Sequence, residues 1–437
     1  MIFPRNNRAV LLASGLLLAA EACAHPPQQS IRDEPISTSV AVATFDSLYS
    51  KVANTYVDTA FTSHQWKAMR DSLRPRASTI TTRGELERVI ADALHYIPDS
   101  HFYMIPERIA PDESTSRSDA RGTSGLSARV ADGKVVAWRV EPGSAAFDAG
   151  IRPGDILRRI KGRDTDSAMK RVAALPDVAR PRGLAEVLHG LNGLLVASVG
   201  DTVKVETQRQ RYSLIARPAQ GNVSQFGNLP PIAALVNTEV VGGSGPRGCA
   251  GVIAFNIWLP EMGADLEKAV DTIRRCDGVV IDLRGNPGGV GAMVMGFAGY
   301  FVDSTRSLGT MKTRQVSLNF VINPRVRPFT GKVAILVDPM TASTSEIFAT
   351  GMQRIGRARI FGERSAAAAL PALMERLPSG DVFVHAVADF TDPAGKRVEG
   401  SGVVPDELVP LRISDLVQGR DAALDAAVRW IEQGAAK

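Results

Sequence analysis

Metal-binding clusters are the first thing the chain lacks: three cysteines in 437 residues match neither the number nor the spacing of a metal site. Long hydrophobic runs are missing too. After residue 22 no segment approaches the roughly 18 uninterrupted apolar residues that a membrane-spanning helix needs. An excess of one charge is also absent. The formal net charge of +5 falls to +4 once the two arginines and one glutamate of residues 1–22 are set aside, too dilute to recruit nucleic acid. No internal repeat and no long low-complexity tract occurs. What remains is an ordinary globular chain, 44 % hydrophobic and long enough for two or three domains with cores of their own.

The first 22 residues place Arg5 and Arg8 ahead of an apolar run at 9–20, followed by small residues. This is the pattern of a secretory signal, and the run is too short for a permanent membrane helix. Export to the periplasm is therefore expected. Cys23 follows Ala20-Glu21-Ala22, which half resembles a bacterial lipoprotein cleavage box; Glu21 and Ala20 depart from it. Lipidation at Cys23 and plain cleavage after Ala22 or Ala24 both stay open, and a lipid on Cys23 is the one membrane contact expected. Residues 23–39 read as a tether. Cys249 and Cys276 are the cysteines left to the mature fold, and an oxidising compartment permits them to pair.

From 40 to 110 the pattern predicts a small helical domain: Val42, Phe45, Leu48, Tyr49 and Val52 form one apolar stripe and Leu86, Val89, Ile90 and Leu94 another. It ends in Ile97-Pro98-Asp99-Ser100-His101-Phe102, a histidine after a proline turn.

The chain is organised around 333–370. A buried-strand run at 333–337 ends in Asp338-Pro339, and the small-residue turn Thr341-Ala342-Ser343-Thr344-Ser345 opens a segment whose Ile347, Phe348, Met352 and Ile355 recur at helical spacing. A strand thus delivers a hydroxyl to a helix N-terminus, where unpaired N–H groups and the positive dipole end stabilise an oxyanion; a plain Ser/Thr cap has the same local appearance. Upstream, the run Val279-Val280-Ile281-Asp282-Leu283-Arg284 ends in Gly285-Asn286-Pro287-Gly288-Gly289 and an apolar helical segment at 290–301. The strand expected at 251–258 and the amphipathic helix at 262–275 precede it. Strand–helix–strand order implies an α/β core on parallel strands, and both loops lie beyond strand C-termini, where such sheets hold their sites. Gly288 and Gly289 suit an oxyanion hole because glycine lets the backbone turn its N–H groups towards a ligand.

These motifs together, with Gly362-Glu363 behind them, resemble the C-terminal-processing and tricorn-type serine peptidases, whose core carries a DLR-x-N-x-G-G loop and a later S-x-S-E-I turn. The resemblance covers about 95–410 and implies a ClpP/crotonase-like layered core over 218–437, closed by a C-terminal helix. It makes Ser343, the first serine of S-x-S-E, the nucleophile, with the N–H of Thr344 and of Gly288 or Gly289 as oxyanion donors; Ser345 would pack or cap. The processing branch uses a lysine a short way after the serine, but that spacing reaches Ala368 and the first lysine after Ser343 is Lys396. The tricorn-type branch instead has a Ser-His pair, matched by Ser100 and His101, with His as general base. An acid ahead of a G-V-x-P-D element, matched by Glu399, would orient the base through Ser100. Residues 364–370 are expected to line the cleft, and His385 is the other histidine to follow.

The string PGSAAFDAGIRPGDIL at 142–157 resembles the core signature of bacterial PDZ domains, implying an inserted PDZ domain at 118–217 that takes protein C-terminal tails on Gly125, Leu126, Ser127 and Ala128. Residues 164–199 exceed a minimal domain of that kind and read as an insertion. The resemblance implies an exported serine endopeptidase acting on polypeptides, with no metal and no organic cofactor. The rival reading is a catalytically idle protein that binds peptide tails through the PDZ domain and core cleft; acyl chemistry on a small molecule is a third.

Overall fold

The computed structural model describes residues 34–107, 121–224, 227–228, 232–242 and 248–433. The expected signal segment, Cys23 and most of the expected tether lie outside them. No helix among the described residues is long and apolar enough to cross a membrane.

The N-terminal helices start where the sequence offers caps. Ser37 accepts the N–H of Val40 ahead of Thr38–Thr55, and Thr82 and Glu85 form a capping box for Arg83–Leu94. Phe45, Leu48 and Val52 bury against Trp66, Met69, Leu86, Val89 and Ile90. This core also takes in Leu377 and Phe383 from far down the chain. The helices alone leave an apolar face open, and a hairpin of Ala372–Arg376 and Val382–Ala386 closes it, with Tyr103–Ile105 added antiparallel beside Val382–Ala386. The sequence boundary at 110 therefore does not enclose a self-contained core.

Residues 121–218 build a second unit. Leu126–Ala131 pairs with Lys134–Val140, and a four-stranded sheet follows in the order Arg163–Asp164, Leu157–Ile160, Thr202–Thr207, Arg211–Ile215. Residues 164–199, expected as an insertion, are part of its fabric: they form the helices Thr165–Ala173 and Arg180–Leu194, and Leu191 and Leu195 pack with Leu126, Ala128, Leu157 and Val203.

The third unit is a six-stranded sheet ordered Val236–Gly242, Cys249–Phe255, Gly278–Asp282, Lys332–Val337, Ala358–Gly362, Glu407–Leu408. The first pair is antiparallel and the rest are parallel. Alternation along the strands sorts the two faces. Ile253, Ile281, Val333 and Ile335 pack under Gly263–Ile273, Met293–Ala298 and Thr344–Arg354, while Val252, Val280, Ala334 and Leu336 meet the closing helix Ala422–Gln433. The helix after the glycine loop is shorter than the 290–301 segment predicted, because residues 287–292 are spent on the loop.

Cys249 and Cys276 form a disulfide across 27 residues, tying the start of one core strand to the end of the helix before the next. Closing a loop of that length in the unfolded chain is worth about 3 kcal/mol. Replacing both cysteines by alanine is expected to lower Tm by roughly 3–7 °C. An unchanged calorimetric Tm under oxidising conditions would overturn this.

Candidate active site

The parallel strands Gly278–Asp282 and Lys332–Val337 run side by side and end level, with Asp282 opposite Leu336, so the loops beyond them meet. Asp338 binds them together: its carboxylate accepts the N–H of Gly285 (2.9 Å) and of Met340 (3.0 Å). The Thr341 hydroxyl donates to Leu283 O (2.9 Å), and Ala342 N–H donates to Asn286 O (3.1 Å).

This scaffold holds Ser343 at the N-cap position of Thr344–Arg354 with φ 55° and ψ −124°. A positive φ is uncommon for a residue with a Cβ and persists only under restraint. The restraint is visible on the backbone: Ser343 N–H donates to Ala368 O (2.7 Å) and to Glu346 Oε2 (3.1 Å). The Glu346 side chain, fully buried, also takes the N–H of Ala367 and Ala368 and the hydroxyl of Ser365. Burial pushes its carboxyl up to about 7 against the pull of those donors. Ser343 and Glu346 together form the capping box of this helix. Ser345 instead accepts the indole N–H of Trp258 (2.9 Å) and is buried.

Gly288 (φ 103°) and Gly289 (φ 138°) adopt conformations that only glycine enters freely. A Cβ on Gly288 would stand 2.6 Å from that of Ser343, and one on Gly289 would overlap Trp258 O. The two amides differ in use. Gly288 N–H donates to Asn286 Oδ1 (3.0 Å). The bonds Trp258 N→Gly288 O and Val290 N→Trp258 O bracket Gly289, whose carbonyl takes the Thr344 hydroxyl (2.8 Å). Thr344 N–H directly follows Ser343, and Gly289 N–H follows Gly288, whose α-carbon packs against Ser343 and Thr344; neither amide has an acceptor among the described residues, which makes the two of them the candidate oxyanion donors.

The third component arrives from the N-terminal unit. His101, also at positive φ (62°), lines the same cleft as Ser343. Its Nδ1 lies 2.7 Å from Ser100 Oγ, which donates to Glu399 Oε2 (2.9 Å); Glu399 Oε1 accepts Ser100 N–H (2.8 Å), and Ala369 N–H donates to Oε2 (2.7 Å). Because the Ser100 proton goes to the carboxylate, its oxygen must accept from Nδ1–H. That fixes the tautomer with an unprotonated Nε2. Burial pushes His101 down to about 4, so the ring is a neutral acceptor at neutral pH, while burial raises Glu399. No hydrogen bond joins His101 to Ser343 among the described residues, an approach that substrate commonly tightens.

The cleft they share has a volume of about 770 Å³. Ile257, Met295, Met311, Leu318, Phe320 and Ile347 give it apolar walls, and no Asp, Glu, Lys or Arg among the described residues lines it. Residues 364–370, expected in its wall, lie behind it: Arg364 bonds Gly400 O and Ser401 O, and the 365–369 stretch is folded onto Glu346 and Glu399. His385 is wholly buried, bonded to Glu375 and Thr55 and stacked on Phe383, a packing role. Gly125, Leu126, Ser127 and Ala128 do not line the cleft. Two of their amides are committed: Gly125 N–H to the Thr123 hydroxyl and Ala128 N–H to Asn192 Oδ1, whose amide also donates to Ala128 O. The sequence reading missed Glu346, although its place three residues after Ser343 is a capping-box spacing.

The profile of Peptidase family S41 matches residues 250–409. A carboxyl-terminal-processing protease of Picosynechococcus sp. is 26 % identical over 367 residues, 82 % of this chain and 81 % of that one. A carboxyl-terminal-processing protease of Synechocystis sp. is 24 % identical over 396 residues, 88 % and 85 % of the two chains. Among solved structures, the photosystem II D1 C-terminal processing protease superposes with a TM-score of 0.59 at 19 % identity, covering 91 % of this chain and 98 % of that one.

Proposed function

The catalytic core of this chain belongs to peptidase family S41 and the protein is a serine-type peptidase; from that premise we propose that it is an exported endopeptidase in which Ser343 attacks the peptide carbonyl and His101 is the base. The observation that carries this reading is the Glu399–Ser100–His101 chain, which ends in an unprotonated Nε2 on the cleft that Ser343 also lines. A serine hydroxyl needs such a base at neutral pH. His101 takes the Ser343 proton and returns it to the leaving amine, while Glu399, acting through Ser100, stabilises the imidazolium that forms. Gly289 and Thr344 N–H receive the carbonyl oxygen as it becomes an oxyanion.

The apolar, uncharged cleft suits an extended polypeptide with an apolar side chain at the scissile bond. A substrate's terminal carboxylate finds no counter-charge there among the described residues, which favours cleavage inside a chain over removal of its last residue. The 121–218 unit, read as the PDZ domain, would engage C-terminal tails at 125–128, where a tail must compete with Asn192 for Ala128. The apolar segment at 9–20 and the Cys249–Cys276 disulfide support export to an oxidising compartment such as the periplasm.

Labelling with a fluorophosphonate tests the reading: wild type should label at Ser343, and Ser343→Ala and His101→Ala should not. A folded wild type that resists the probe with and without a peptide tail would favour the idle tail-binding protein. The oxyanion assignment has its own test. Gly289→Ala keeps the N–H but its Cβ would overlap Trp258 O, so the amide must turn away; kcat is expected to fall roughly 10²–10³-fold, and wild-type kcat in that variant would refute the assignment.

A further inference from the structure

His101 is held from both sides by residues that touch neither the cleft nor the Ser100–Glu399 bonds. On the preceding side, Arg397 grips Asp99 with two nitrogens, Nη2 to Oδ2 at 2.6 Å and Nη1 to Oδ1 at 3.2 Å. The Tyr56 hydroxyl donates to Asp99 Oδ2 at 2.7 Å. On the following side, the Tyr56 ring meets Phe102 edge-on, with centroids 5.2 Å apart. The two gripping residues are themselves fixed: Arg397 Nε donates to Asp389 (2.7 Å), and the Tyr56 carbonyl accepts Arg314 Nε (2.7 Å). Tyr56 is buried, and burial together with Asp99 pushes its hydroxyl far above the ordinary tyrosine range, so it stays a donor.

We propose that Arg397 and Tyr56 are positioning residues for the base, setting where the His101 imidazole meets Ser343 by clamping Asp99 and Phe102. The proposal rests on reading His101 as the base. The mechanical need is plain, since His101 occupies a positive φ that would relax if its neighbours were released. Arg397 stands two residues before Glu399, so one short segment anchors both Asp99 and Ser100 and moves them together. Arg397, Tyr56 and Asp99 line a separate cavity of about 640 Å³ and are absent from the wall of the reaction cleft. They therefore act through His101 and not on substrate.

The test is steady-state kinetics on a fluorogenic peptide, with fluorophosphonate labelling rates in parallel, for Arg397→Gln, Tyr56→Phe, their double variant and Arg397→Lys. His101→Ala is run alongside, and Arg74→Gln serves as a control because it breaks a comparable two-nitrogen pair with Asp46 in the N-terminal unit. Each of the first two should lower kcat by about 10–100-fold with KM within about twofold, as expected for a base displaced by a fraction of its reach. Labelling of Ser343 should slow in proportion. The double variant should lose less than the product of the two single losses, because both act on Asp99. Arg397→Lys should recover part of kcat, an ammonium supplying charge without the fork. Tyr56→Phe removes one hydroxyl and keeps the ring, so it remains informative if Arg397→Gln folds poorly. Wild-type kcat in both single variants, or losses no larger than those of Arg74→Gln, would overturn the proposal while leaving the base assignment intact. Full activity in His101→Ala would overturn both.

Discussion

Ser343→Ala is expected to lower kcat by roughly 10⁴–10⁶-fold, the range in which loss of the nucleophile leaves only binding and the oxyanion donors. The fold should survive. The unusual backbone at this position is held by its N–H on Ala368 O and Glu346, and the hydroxyl adds at most a capping contact to the Glu346 N–H. Alanine keeps that N–H and the Cβ, so Tm should move by no more than a few degrees. The comparison to make is peptide hydrolysis by purified wild type and variant, with circular dichroism melts of both. Retained hydrolysis would remove Ser343 from the mechanism; lost hydrolysis with a collapsed melt would mean that the hydroxyl serves the fold.

His101→Ala should cost nearly as much, because an unassisted serine hydroxyl is a poor nucleophile and a triad's parts act as one unit. The pH profile of the wild type makes the assignment specific. Burial holds His101 near 4, below its ordinary 6.5. The active form is the neutral ring, so it is fully populated above about pH 5 and lost as pH falls through about 4. The acid limb of kcat/KM should accordingly lie near 4, well below an exposed histidine. The same depression means that the unfolded chain takes up this proton first as pH falls. The stability that neutral His101 lends is complete above about 6.5 and disappears as pH falls through about 4. An acid limb near 7 would point instead to Glu346, whose carboxylate must stay ionised to accept four donors and whose burial places it about there.

Much of this site can be read along the chain. The strand–turn–helix around Ser343, the glycine loop at 285–289 and the C-terminal closing helix follow from periodicities and turn residues that act within a dozen positions. Gly288 and Gly289 could be singled out as glycines needed near a nucleophile, but not told apart: that Gly288 spends its N–H on Asn286 while Gly289 keeps its own depends on where the 258 segment crosses the loop. The wall of the cleft was misread at 364–370 for a similar reason. A loop of alanines looks equally at home facing substrate or backing two buried carboxylates, and its direction is set by Glu346 and Glu399. Residues 164–199 read as an insertion because they exceed a minimal domain of this kind, yet Leu191 and Leu195 join the core of the 121–218 unit.

By itself the sequence determined the serine, its helix, the glycine loop, the α/β order of the core and the absence of a nearby lysine, since each rests on short-range spacing. Only the tertiary structure decided that Ser100 and Glu399, 299 residues apart, share two hydrogen bonds, that Asp99 meets Arg397, and that a hairpin at 372–386 completes the core of the N-terminal helices and seats the strand that follows His101. Contacts at such separations leave no periodic trace. They are chosen by which apolar faces remain uncovered after local structure has formed, and by which buried polar groups then have to find partners.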